Sequence, residues 1–256
     1  VEDQMEVEAR VVDVESGRIL AAAHMRSTAV RHKPASPDPL PAARPPPVMQ
    51  PLGDDLGPGT RLPWPLMTQG AAVLGSRIYV VGGVTPQVLG RGRGDEAALS
   101  AELLPGGTLG RWRMESALPS GRYQTAAAAW ERTLFVIGGY HGSVRREVFF
   151  AEADRAGRLG PWRQAGTLPR GCAGPRAVAL RGVLHVAGCA DSDGYVPAIF
   201  IAPILSGGTL GAWQTTPLPR GFGGLGFAAA RGRLYLVGGS DSSGTIQAEI
   251  FSTGID

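Results

Sequence analysis

Residues 121–140, GRYQTAAAAWERTLFVIGGY, decide the fold. They hold two short runs, 126–130 and 133–137, separated by Glu131-Arg132 and closed by Gly138-Gly139. The β-branched and aromatic residues of the second run suit a strand. A two-residue spacer suits a tight antiparallel turn, and the alanines of the first run suit a crowded inner position. The stretch therefore predicts a β-hairpin whose second arm ends on a glycine pair.

The pattern recurs along the chain. Leu-Pro stands at 62/63, 118/119, 168/169 and 218/219, and twenty residues on come Gly82-Gly83, Gly138-Gly139, Gly188-Cys189 and Gly238-Gly239. Each copy repeats the hairpin: 71–74 with 77–81, 177–180 with 183–187, and 227–230 with 233–237. A third strand is expected after each glycine pair, at 147–151, 198–202 and 248–252. Leu-Gly-x-Trp at 109–112, 159–162 and 210–213 precedes the next Leu-Pro and is expected to supply a fourth. The first copy carries six extra residues, assigned to 88–96.

Four antiparallel strands per fifty residues, with one tryptophan per unit, describe a propeller blade. The double glycine, the apolar strand before it and the spaced tryptophan resemble the kelch family over about residues 52–256. The Gly-x-Leu-Gly-x-Trp form is similar to kelch-like repeats of bacterial and other large surface or scaffold proteins. Two departures stand out: Cys189 replaces a second glycine, and the first copy lacks a lead-in tryptophan. The resemblance implies an all-β, kelch-like β-propeller of four recognisable blades, with a degenerate fifth blade or an incomplete ring as the open alternatives. Residues 52–62 could add a closing fourth strand.

The N-terminal part reads differently. Residues 1–33 predict a β-hairpin, either a degenerate blade or the remnant of another domain; over 5–33 they weakly resemble late strands of hotdog-fold acyl-CoA thioesterases. Residues 34–51 hold eight prolines and read as an extended linker, so that 1–51 form an N-terminal arm on a 52–256 propeller. A chain beginning at Val1 reads as a processed or partial product.

Composition narrows the function classes. The chain has 256 residues and net charge +3, and glycine (38) and proline (21) are frequent but periodic, which argues against disorder. Basic residues are spread evenly rather than massed, which argues against a nucleic-acid partner. The longest charge-free stretch, 194–219, is broken by Pro197, Pro203, Gly207 and Pro217, so it predicts no transmembrane helix. Lys33 is the only lysine and asparagine is absent, which removes every N-glycosylation acceptor.

No catalytic, metal or cofactor motif stands out, and no cofactor is expected. Asp191-Ser192-Asp193-Gly194 lacks the glutamate that a calcium loop needs twelve positions on, where Ala202 stands, so a turn is the expected reading. His185 occupies the strand position of Tyr79, Phe135 and Tyr235 and is expected in the core. Cys172 and Cys189 fall at the ends of one hairpin, and their pairing is left open. Trp64 and Trp130, out of register with the repeat, are expected as exposed contacts.

The binding residues expected from loop position are Arg122, Tyr123, Tyr140, His141, Asp191, Asp193, Tyr195 and Asp241. The function expected is a non-enzymatic protein–protein interaction or scaffold module, as subunit or accessory of a larger assembly. A carbohydrate-binding or carbohydrate-modifying propeller is the alternative; the C-terminal part of a thioesterase fusion is the second.

Overall fold

Two-residue turns set the register of the molecule. Leu74 pairs with Arg77, Trp130 with Thr133, Leu180 with Val183 and Ala230 with Arg233, so each spacer read from the sequence closes a hairpin. In the last two, Arg181-Gly182 and Arg231-Gly232 have positive φ at both positions, the twist that matches paired strands. The computed structural model describes residues 5–13, 19–27, 61–88 and 90–254.

The described chain is all-β and forms a four-blade propeller. Blade 1 is β3 (Gly70–Leu74), β4 (Arg77–Val81), β5 (Ala98–Glu102) and β6 (Arg113–Met114). Blade 2 is β7 (Ala126–Trp130), β8 (Thr133–Ile137), β9 (Glu147–Glu152) and β10 (Arg163–Thr167). Blade 3 is β11 (Arg176–Leu180), β12 (Val183–Ala187), β15 (Ala198–Pro203) and β16 (Gln214–Pro217), with a small hairpin of β13 (Ala190–Asp191) and β14 (Gly194–Tyr195) in its loop. Blade 4 begins with β17 (Gly226–Ala230), β18 (Arg233–Val237) and β19 (Ile250–Gly254).

The N-terminal hairpin, β1 (Met5–Asp13) and β2 (Ile19–Ser27), extends the sheet of blade 4. β1 runs parallel to β19, pairing Val11 with Ile250, whereas every third-to-fourth strand pair of the other blades is antiparallel. The expected linker at 34–51 and residues 52–60 of the closing strand expected over 52–62 lie outside the described residues. In blades 1 to 3 the tryptophan stands just ahead of the fourth strand rather than within it, which corrects the sequence reading. The reason is packing: Trp162 is buried against blade 1, and its Nε1–H donates to the Ser116 carbonyl at 2.7 Å.

The core lies between blades, in three layers. Tyr79, Val81 and Ala98 of blade 1 meet Leu134, Val136 and Ala151 of blade 2. Phe135, Ile137 and Phe150 of blade 2 meet Leu184 and Val186 of blade 3. Ala187 and Ile199 of blade 3 meet Leu236 and Phe251 of blade 4. Burying each large side chain contributes about 1.5–3 kcal/mol, so face-to-face packing of blades dominates stability. The glycine pairs let blades touch through their backbones: a Cβ on Gly138 would lie 2.3 Å from the Cys172 carbonyl oxygen. Gly83 N–H donates to Arg122 O at 2.8 Å, and Gly139 N–H donates to Cys172 O at 2.7 Å.

Candidate functional site

The four innermost strands line a central cavity of about 590 Å³. Its walls are built from the starts of those strands, which explains the small residues of the first arms: Gly70, Ala71, Ala126, Ala127 and Ala177 all line it. Arg176 is the only charged residue among them, and Gln69, Gln124 and Tyr195 add polar groups. Gln69 Oε1 is buried without a hydrogen-bond partner among the described residues.

The mouth of the cavity is strained. Thr68 and Gln124 are left-handed, at φ 59° and 52°, where the later blades carry Gly174 and Gly224. For the β-branched Thr68 this is a rare conformation. It is held by a rim of hydrogen bonds: Gln124 N–H to Thr68 O and Gly174 N–H to Gln124 O, both 2.8 Å. Among the described residues this rim has no counterpart between blades 3 and 4, where the Tyr195 ring lies against Gly223.

The expected binding residues divide into three groups. Tyr123 and Tyr140 come together beside blade 2: their rings lie 5.4 Å apart, and Tyr123 N–H donates to Tyr140 O (3.1 Å) while Tyr140 N–H donates to Tyr123 O (2.8 Å). Both are half-buried. His141 follows, and its carbonyl accepts from Arg145 at 3.0 Å.

Arg122 lies beneath the tyrosines and is fully buried. Its guanidinium donates to Gly138 O (3.1 Å) and Ser120 Oγ (2.9 Å) and stacks 4.7 Å from the Phe149 ring. Desolvation pulls its pKa down to about 10, opposed by the nearby Glu147 carboxylate. It occupies the place that Cys172 and Phe222 fill in the next two blades, after Leu-Pro-x-Gly, and all three are buried.

Asp191 and Asp193 lie on the blade 3 hairpin, both bound by the exposed Arg170 at 2.7 and 2.8 Å. Tyr195, at the end of that hairpin, is the one expected residue that borders the central cavity. Asp241 lies one repeat on. Its Oδ1 accepts from Ser243 Oγ, Ser243 N and Thr245 N, and these bonds, led by the Ser243 hydroxyl, hold its carboxyl below the usual range. The eight residues thus do not converge on one point.

Three further expectations resolve here. Cys172 and Cys189 form a disulfide, with Cα atoms 4.4 Å apart and both residues fully buried. It fills the contact that Arg122 makes with Gly139 in blade 2, which is why a cysteine can replace the second glycine of blade 3. His185 is buried in its strand as expected, and desolvation holds its pKa below 6.5. Trp130 is not an exposed contact but packs on the core between blades 2 and 3, and Trp64 is half-buried. Among the described residues no group of three or more metal-ligating side chains forms, and no helix is long and apolar enough to cross a membrane.

No protein-family model matches the chain, and no curated protein matches it. Solved structures do: the one titled "Structure of YjhT" superposes with a TM-score of 0.59 at 14% identity, covering 75% of this chain and 64% of that one. The chain therefore spans just under two-thirds of that structure's length, and the likeness is one of fold: this chain is similar to a propeller-type protein.

Proposed function

We propose that the chain is a non-enzymatic protein-interaction module of the kelch-like type, which binds its partner through the loop face carrying Tyr123, Tyr140 and the 191–195 hairpin. The observation that carries this reading is the Tyr123–Tyr140 pair. Two half-buried aromatic rings, fixed to each other by reciprocal backbone hydrogen bonds, make a rigid amphipathic anchor. The neighbouring loops are pre-ordered by Arg170 and Asp241, so little entropy is lost on docking. Cross-linking mass spectrometry on the protein at native abundance tests it. Stoichiometric links from the 140s and 190s loops to another chain are expected, and their loss in Tyr123→Ala/Tyr140→Ala; a chain that stays unlinked contradicts it.

A carbohydrate ligand in the central cavity is the second reading. It is favoured by the strained Thr68 and Gln124 at the mouth and by the unpartnered Gln69 Oε1. Glycan-array binding lost on Gln69→Ala/Arg176→Ala would support it over the first.

A further inference from the structure

Blades 1 to 3 each carry a turn between their third and fourth strands, and in blades 2 and 3 the turn plugs into the blade before. In blade 2 a Cβ on Gly157 would lie 2.5 Å from Arg77 Cδ and 3.1 Å from the Tyr79 hydroxyl. The Tyr79 hydroxyl and the Arg113 guanidinium both donate to Gly157 O at 2.6 Å. In blade 3 the equivalent Gly208 is pressed against Phe150 of blade 2, 2.4 Å from a hypothetical Cβ. A Cβ on the equivalent glycine of blade 1, Gly107, would meet nothing within 4 Å among the described residues.

The matching receptor lies at the other end of the molecule. Blade 1 receives its plug on Arg77, Tyr79 and Ser100, with Arg77 Nε donating to Ser100 Oγ at 3.1 Å. Blade 4 repeats this set in the same register: Tyr235 pairs with Ser252 as Tyr79 pairs with Ser100, and Arg233 donates to Ser252 Oγ at 3.0 Å. Tyr79 is fully buried, whereas Tyr235 is only half-buried.

Two more positions on that face agree. Val81, Ile137 and Ala187 end the second strands of blades 1 to 3 fully buried, yet Val237, ending that of blade 4, is 45% exposed. Val144 and Tyr195 seat against Gly171 and Gly221 of the following blade. Ile246, placed like them one residue before an N–H that bonds the second residue of the glycine pair, is 86% exposed. On blade 1, Val73 is 55% exposed where its counterpart Ala129 packs against the neighbouring blade.

The geometry points to head-to-tail self-association: the outer face of blade 4 (Tyr235, Val237, Ile246) receives the 105–107 turn and the Val73 face of blade 1 from a second copy of this chain. The second copy is the occupant because, among the described residues, one plug is unseated and one receptor is unfilled, and their chemistry is already matched between blades 1 and 2. Such a contact is heterologous, so it extends or closes into a ring. The inference rests on the interaction-module reading but uses a different face from the tyrosine pair.

Sedimentation velocity of the 256-residue chain over a wide concentration range tests it. The wild type is expected to gain mass with concentration, and Val237→Asp/Ile246→Asp to weaken association at least about tenfold, as loss of a buried apolar anchor does. Val73→Asp blocks the opposite side; Val73→Arg replaces it if its melting temperature falls. An equimolar mixture of a blade 4 variant and a blade 1 variant has one intact interface, so it should form dimers and nothing larger. A wild type that is monomeric throughout, masses unaffected by the blade 4 variant, or a mixture without dimers overturns the inference. Tyr140→Ala leaves self-association unchanged, so failure here is distinguishable from failure of the loop-face reading.

Discussion

The Tyr79 hydroxyl donates a 2.6 Å hydrogen bond to the Gly157 carbonyl, joining a strand of blade 1 to a turn of blade 2. The two are 78 residues apart in the chain, so the bond exists only if successive blades stack. It shows at atomic scale how one blade recognises the next: an apolar face with a polar centre accepts a glycine turn that comes too close for any side chain.

This contact gives a graded expectation. Tyr79→Phe should destabilise the chain by about 1 kcal/mol, the net worth of a buried hydrogen bond. Gly157→Ala should cost more, about 2 kcal/mol, because its Cβ meets Arg77 at a backbone φ of +69°. Gly107→Ala shares the positive φ without the contact and should cost less than Gly157→Ala. Urea denaturation of the three variants checks the order.

The disulfide closes a short loop beside the central cavity, with a sequence separation of 17. Chain-entropy arithmetic assigns it about 3 kcal/mol. Cys172→Ala/Cys189→Ala should lower the melting temperature of the oxidised protein, and reductant should then have no further effect on that variant. A melting curve with and without reductant measures both.

Arg122 holds the Gly138 carbonyl through a buried bond and the half-buried Ser120 hydroxyl beside it. Arg122→Ala leaves the buried Gly138 carbonyl unpaired and opens a cavity, at a cost of about 3 kcal/mol. Arg122→Phe, the residue type that blade 4 uses at Phe222, should recover part of that loss in the same denaturation assay.

His185 links stability to pH. Burial keeps it neutral with a pKa below 6.5, so the unfolded chain binds the proton more readily than the folded one. Its contribution is complete above the unfolded pKa of 6.5 and is lost as pH falls below that value. Melting temperatures taken from about pH 7.5 down to about pH 5.5 should fall more steeply for the wild type than for His185→Phe, which carries the residue of blade 2 at that position.

Much of this architecture was legible in the sequence. The glycine pairs fixed where second strands end, and the spacers fixed the hairpin registers, because both depend on local backbone geometry. Side-chain direction was harder to read. Arg122 and Trp130 looked like loop and turn contacts, yet both are covered by the adjoining blade. The signal for Arg122 was its register with Cys172 and Phe222, an apolar position after Leu-Pro-x-Gly. The parallel pairing of β1 with β19 had no local signal, since it depends on where a distant edge strand is left without a neighbour.

Hydrogen exchange, followed by mass spectrometry at low and high protein concentration, tests the central claim most directly. If blade 4 presents an empty docking face, amides of β17 and β18 exchange faster than those of β7 and β8 in dilute solution, and gain protection as concentration rises. Equal protection of blades 2 and 4 at every concentration would contradict it.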